Sequence, residues 1–301
     1  MESNNILITG INGYLGRNFL QETVNNNYLT NYNVCFLTSK KINGYCNIIH
    51  DNYSFKKEDF FKQGISEIKI LIILGAFCPK NKNQMNEVSL NISSIISLNY
   101  LLANLPNFPE KIIYISSISV YGKKLIDKSI ISENTVCSPD SLYGDTKLYS
   151  EKIIKTFCES NNIEYQILRM GVIYGGIGEL KRQGTIPTIV RAILKEEILL
   201  LFNEGKEVKY FIHIKDCINI IIKSILFNTE DRIINIVSNE KICLAKLAEI
   251  VAQKYGKKLR LEFEKRLPFI SDAAFDNTIF NRNFGNLNIP IEIGILDIGV
   301  Q

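Results

Sequence analysis

A chain of 301 residues can bury a sizeable core and suits one large domain or two unequal ones. Hydrophobic residues make up 46% and charged residues 22%, which argues against a disordered or fibrous chain. The formal charge of +4 is small and its lysines are scattered, so nucleic-acid binding gains little support, while an anionic small molecule suits the balance.

The first strand is predicted at 4–9, which leaves no room for a signal peptide before it. Further strands follow at 33–38, 46–49, 69–75, 110–117 and 163–169, with helices between them at 14–25, 56–64, 84–105 and 140–161. Continuous apolar runs such as Ile70-Leu71-Ile72-Ile73-Leu74 suit strands buried on both faces. Alternation of such strands with amphipathic helices implies an α/β fold, a doubly wound parallel (Rossmann) sheet. From about 177 the rhythm changes. Helices at 184–195, 215–228 and 243–255 mix with short strands near 199–203, 209–212, 232–237 and 259–263, and the tail from Lys265 is rich in loops. The expected division is a dinucleotide-binding domain over 1–176, to which 207–237 return. A smaller substrate-binding lobe is then made of 177–206 and 238–301.

Three exclusions follow from rarer residues. Seven cysteines without CxxC spacing imply reduced thiols and a cytoplasmic protein. Two histidines leave little for a histidine-rich metal site. The longest apolar run, 68–78, is too short to span a bilayer of about 30 Å.

Between the first strand and first helix lies Thr9-Gly10-Ile11-Asn12-Gly13-Tyr14-Leu15-Gly16. A pyrophosphate needs close backbone N–H donors and the positive end of a helix. Gly10, Gly13 and Gly16 allow the tight turn, the close approach and the helix-to-strand packing, and Asn12, Tyr14 and Leu15 complete the loop. The second strand ends Thr38-Ser39-Lys40-Lys41, without the acidic residue that accepts the ribose hydroxyls of NAD. Ser39 and Lys40 suit the 2′-phosphate of NADP instead, with NAD as the alternative.

Tyr143-Gly144-Asp145-Thr146-Lys147 opens a predicted helix, and its i, i+4 spacing puts phenol and ammonium on one face. A free phenol titrates near 10, and a neighbouring cation favours its ionised form. Ahead of it, at the end of the fifth strand, stands Ile115-Ser116-Ser117-Ile118-Ser119-Val120-Tyr121-Gly122.

Together these segments resemble the short-chain dehydrogenase/reductase family, particularly its extended branch acting on nucleotide sugars. The resemblance runs over nearly the whole chain. It implies that Tyr143 exchanges a proton with the reacting oxygen, that Lys147 also binds the nicotinamide ribose, and that Ser117 hydrogen-bonds the substrate oxygen, with Ser116 as the alternative. Asp51 matches the position contacting adenine, and Leu74-Gly75-Ala76 the segment under the adenosine ribose. Met170 and Val172 fall in Leu168–Gly175, which resembles the segment beside the nicotinamide. Phe211-Ile212-His213-Ile214-Lys215-Asp216 resembles an element whose histidine and aspartate position the lobe, and Arg266 falls where the family faces the sugar nucleotide's phosphates.

Departures from the pattern narrow the reaction. The dehydratases' Asp-Glu pair is replaced by Ile118 and Ser119, and the cysteine of epimerase–reductases by Ser119, a substrate-contact position. Val172 replaces an asparagine that contacts the sugar nucleotide in many 4-epimerases. Reduction of a nucleotide-linked 4-keto sugar is therefore expected, with a 4-epimerase retaining NAD as the main rival. A non-catalytic dinucleotide-binding sensor or scaffold is the third reading. The family's pairing of the helices at 84–105 and 140–161 implies a homodimer, for which Ile92, Ile96 and Leu148 are candidate contacts; the same residues also suit a core. A nucleotide-sugar substrate, with neither nucleic-acid nor membrane partner, completes the expectation.

Overall fold

The computed structural model describes residues 4–51, 54–75, 83–125, 129–178, 180, 184–238, 240–265, 273–285, 287 and 289–298. In chain order the first part comprises β1 (Asn5–Thr9), α1 (Tyr14–Asn26), β2 (Asn33–Thr38), β3 (Cys46–Ile49), α2 (Lys57–Lys62), β4 (Ile70–Ile73), α3 (Val88–Ala103) and β5 (Lys111–Ser117). It continues with β6 (Ile130–Ile131), α4 (Leu142–Ser160), β7 (Glu164–Met170), β8 (Val172–Tyr174), α5 (Thr185–Leu194), β9 (Leu199–Phe202), β10 (Val208–Lys209) and β11 (Phe211–His213). The remainder is α6 (Ile214–Leu226), β12 (Ile233–Ile236), β13 (Ile242–Cys243), α7 (Leu244–Tyr255), β14 (Leu261–Glu264), β15 (Ala274–Phe275), α8 (Thr278–Phe284) and α9 (Ile291–Gly294).

Seven strands form one sheet in the order β12-β7-β5-β4-β1-β2-β3, every neighbouring pair parallel. The side-chain period of two divides its isoleucines and leucines between two cores. Ile6, Ile8, Ile72 and Ile113 face Phe19 of α1 and the apolar side of α6. Leu7, Leu71, Ile73 and Ile112 face Leu98 and Leu102 of α3 and Ile154 of α4. Burial on both faces explains why these strands read as unbroken apolar runs, and the fold is doubly wound α/β. The chain leaves β1 toward β2 on one side and reaches β4 on the other. A crevice therefore opens at the carboxyl ends of β1 and β4.

A third core joins α5, α7 and β9 through Ile189, Val190, Leu201, Leu247 and Val251. The tail holds more helix than its composition suggested. Phe280 and Phe284, one turn apart on α8, are buried against the sheet's first core, and that burial holds a helix of only seven residues. On the outer faces Ile92 and Ile96 of α3 are exposed. Leu148 is not. It packs against Val120, Tyr121, Ile131 and Ala273, so its apolar side chain serves the interior. Among the described residues no helix is long and apolar enough to cross a membrane.

Candidate active site

At the end of β1 the chain turns through Gly10, whose φ of +78° is a conformation that L side chains avoid. A Cβ there would stand 2.2 Å from the Gly75 nitrogen, and one at Gly16 would stand 2.3 Å from the Gly10 oxygen. The two glycines thus let the turn press on the end of β4 and let α1 dock on the turn. Gly13 begins α1 without a side-chain cap, and the first turn carries no acid. The Gly13 nitrogen donates to the Gly10 oxygen at 2.9 Å, closing the turn, and the positive end of the helix suits an anion. Beside them the Thr9 hydroxyl, 2% exposed, has no hydrogen-bond partner among the described residues. An uncapped helix start, a closely packed glycine turn and an unpartnered buried hydroxyl fit a dinucleotide's pyrophosphate.

The second half of the site is built by β5 and α4. Ser141 caps α4 by accepting from the Gly144 nitrogen at 3.2 Å, and Asn86 accepts from the Leu142 nitrogen at 2.9 Å. A Cβ at Gly144 would lie 2.6 Å from the Ser119 oxygen, so only glycine lets this turn rest on the serine segment. That approach brings Tyr143 and Lys147 to the carboxyl end of β5. Lys147 is buried and donates to the Ile115 oxygen at 2.8 Å. Its ammonium stands 5.0 Å from the Tyr114 ring centre and 5.9 Å from that of Tyr143. Such rings favour a cation held over them. Ser117 Oγ donates to Ser119 Oγ at 3.0 Å and accepts from the Ser119 nitrogen at 3.2 Å.

A cleft of about 1060 Å³ joins the two halves. Gly10, Gly13, Tyr14, Leu15 and Gly16 line it together with Leu74, Gly75, Ser117, Tyr143, Lys147, Met170 and Val172. Other candidates stand outside that lining. Asn12 points away to donate to Thr38 Oγ1 at 2.7 Å, tying the glycine loop to the end of β2. Ser39, Lys40 and Asp51 are exposed, just beyond the carboxyl ends of β2 and β3. Ser119 accepts a hydrogen bond from Ser117, which lines the cleft. Ala76 and Arg266 lie outside the described residues. No group of three or more His, Cys, Asp or Glu suited to a metal occurs among those described.

Ser116, the alternative to Ser117, is drawn into a buried network. It donates to Glu151 at 2.5 Å, and Glu151 accepts from Arg169 Nε and from Arg169 Nη2 at 2.7 Å. Arg169 also donates to the Tyr121 hydroxyl at 2.7 Å, which donates in turn to Asn235 at 2.7 Å. Burial pushes the Tyr121 phenol up to about 12, so it stays a neutral donor. The network stitches β5, α4, β7 and β12 behind the serine segment, and no motif pointed to it. A signal was present: Arg169 is a charge between buried Leu168 and Met170, and a buried charge needs a partner.

A second unexpected group ties the loop after β8 to α1. The Tyr14 hydroxyl donates to the Gly175 oxygen, and buried Asn18 accepts from the Ile177 nitrogen at 2.8 Å and donates to its oxygen at 3.2 Å. His213 caps α6 by accepting from the Lys215 nitrogen at 3.3 Å, while Asp216 accepts from the Ile289 nitrogen at 2.7 Å. Burial lowers His213 to about 4, leaving the ring neutral at neutral pH.

Comparison with known proteins agrees with this arrangement. Residues 6–236 match the family model described as "NAD dependent epimerase/dehydratase family". The uncharacterized UDP-glucose epimerase YtcB of Bacillus subtilis is 28% identical over 160 residues, 52% of this chain and 49% of that protein. The chain therefore matches about half the length of that relative. A putative UDP-glucose 4-epimerase of Methanocaldococcus jannaschii is 24% identical over 256 residues, 83% of this chain and 82% of that one. The fold superposes on a crystal structure of UDP-glucuronic acid 4-epimerase from Bacillus cereus in complex with NAD. There the TM-score is 0.78 and the identity 21%, covering 98% of this chain and 97% of the other. With the family model spanning both the glycine turn and the tyrosine–lysine helix, the chain belongs to the NAD-dependent epimerase/dehydratase family.

Proposed function

We propose that the chain transfers hydride at C4 of a nucleotide-linked sugar, in the net direction of reducing a 4-keto group with NADPH. One observation carries this reading. Ser117, Tyr143 and Lys147 line the same cleft as the uncapped helix start and glycine turn. A nicotinamide dinucleotide bound in that cleft would supply the hydride. The protein's own groups would do the rest. Tyr143 would hand its phenolic proton to the carbonyl oxygen. Lys147, held by the Ile115 oxygen, would favour negative charge left on the phenol, and Ser117 would polarise the carbonyl by hydrogen bonding. Proton transfer of this kind contributes roughly a hundred- to ten-thousand-fold. The part made of 177–206 and 238–301 would receive the sugar nucleotide, with Arg266 and Val172 among its contacts, and 1–176 with 207–237 would hold the cofactor. Ser39, Lys40 and Asp51 would meet the adenosine half, Ser39 and Lys40 favouring a 2′-phosphate. The exposed Ile92 and Ile96 would pair two such chains, in the cytoplasm.

A second reading is a 4-epimerase that keeps NAD through both half-reactions. Relatives bearing epimerase names favour it, as does the tie of Tyr14 and Asn18 across the loop beside the cleft. Extracting the cofactor from purified protein separates the two. An empty site that binds NADPH and oxidises it with a nucleotide-linked 4-keto sugar supports reduction. Tightly held NAD, with interconversion of 4-epimers and no net NADPH consumption, supports epimerisation. Absence of both activities across a panel of nucleotide sugars would leave dinucleotide binding alone.

A further inference from the structure

A pair of thiols stands away from the cleft, near the starts of β2 and β3. Cys35 and Cys46 are register partners on these neighbouring parallel strands. The Cys35 sulfur donates to the Cys46 sulfur at 3.1 Å. Neighbouring strands run about 4.8 Å apart, inside the Cα separation of about 4.4–6.8 Å that a disulfide tolerates. The turn between the strands is already fixed. Asn47 accepts from the Ile42 nitrogen at 2.9 Å and donates to the Ile42 and Tyr45 oxygens at 2.9 and 2.7 Å. The Tyr45 ring packs on Phe36 at 5.0 Å. The sulfurs are thus held together by their surroundings, which raises their effective concentration toward each other. Both residues wall a second cavity of about 620 Å³, and Cys46 is the more accessible of the two.

We propose that Cys35 and Cys46 are a dithiol site that low-molecular-weight disulfides such as oxidised glutathione convert to a cross-strand bridge. The Cys46 thiolate attacks one sulfur of the small disulfide, forming a mixed disulfide and expelling one thiolate. Cys35 then gives up its proton and attacks the Cys46 sulfur, expelling the second. The protein loses two electrons and two protons, and one disulfide becomes two thiols. Burial, reinforced by the Cys46 thiol, pushes the Cys35 thiol far up. It is therefore the slow partner in closure and a poor leaving group once bridged, which protects the bond from reductants. The closed ring, residues 35–46, contains Ser39 and Lys40.

The test treats the full chain with oxidised glutathione, blocks remaining thiols and maps peptides by mass spectrometry, with partly exposed Cys137 and Cys243 as internal controls. The expected product is a Cys35–Cys46 linked peptide that dithiothreitol releases, with no glutathione retained at either residue. Cys46→Ser should leave Cys35 unmodified, whereas Cys35→Ala should retain glutathione on Cys46. Glutathione persisting on wild-type Cys46 beside a free Cys35, or both thiols remaining free while the controls react, would overturn the proposal.

Discussion

Replacing Glu151 by alanine would strand a guanidinium inside the protein. Each side chain of the Glu151–Arg169 pair is only 5% exposed, so water cannot take over the lost partner. Removing one member of such a pair costs about 3–5 kcal/mol, to which the lost acceptor of Ser116 adds. With a urea slope of about 3 kcal/mol per molar, a loss of about 4 kcal/mol lowers the unfolding midpoint by roughly 1.3 M. Equilibrium unfolding followed by circular dichroism reads this directly. Combining Glu151→Ala with Arg169→Met removes the stranded charge, and the double variant should recover most of the loss, since apolar replacements of buried pairs are often neutral. A single-variant loss below about 1 kcal/mol, or a double variant weaker than the single, would refute the network as a buried electrostatic unit.

Three further outcomes are expected. Gly144→Ala would push the first turn of α4 off the Ser119 oxygen, 2.6 Å from the new Cβ. It should cost about 1–3 kcal/mol of stability and lower turnover more than dinucleotide affinity; unchanged turnover would show that the close approach is dispensable. Tyr14→Phe deletes the hydrogen bond to Gly175 and should speed cofactor release about two- to tenfold in stopped-flow measurements, with an unchanged rate contradicting the tie. His213, lowered by burial to about 4, is neutral in the fold but takes up a proton when unfolded below about 6.5. Its contribution, up to about 3 kcal/mol, is present above pH 6.5 and fades as pH falls toward 4. Asp216, raised by burial, gains stability as pH falls and so opposes this. His213→Asn keeps an acceptor for Lys215 and should flatten the acid limb of stability against pH, whereas an identical slope would remove His213 as its cause.

Much of the sheet was legible because burial on both faces leaves runs such as Ile70–Leu74 with no polar interruption. The glycine turn was legible for a related reason, since few contexts besides an anion site place Gly10, Gly13 and Gly16 between a strand and a helix. Ser117 was placed by resemblance; both serines line the cleft, and Ser116 alone also donates to Glu151, a tie the sequence did not announce. Glu151 belongs to none of the segments that carried the sequence reading. Its meaning appears only when β7 brings Arg169 against α4. Asn18 gave no signal, because its ties beyond α1 are to backbone groups 159 residues away. Leu148 suited an outer face and a core alike, because a helix's pattern does not say which neighbour covers it; it packs inside. The meeting of Cys35 and Cys46 depends on strand register, which a turn of this length leaves open.

The proton-transfer role of Tyr143 is tested most directly by Tyr143→Phe, assayed with a nucleotide-linked 4-keto sugar and NADPH alongside a fluorescence titration of the cofactor. Cofactor affinity should stay within about tenfold of the parent, since one hydroxyl contact is worth about 0.5–1.5 kcal/mol net, while turnover falls at least about a hundredfold. Near-normal turnover by the phenylalanine variant would contradict the account.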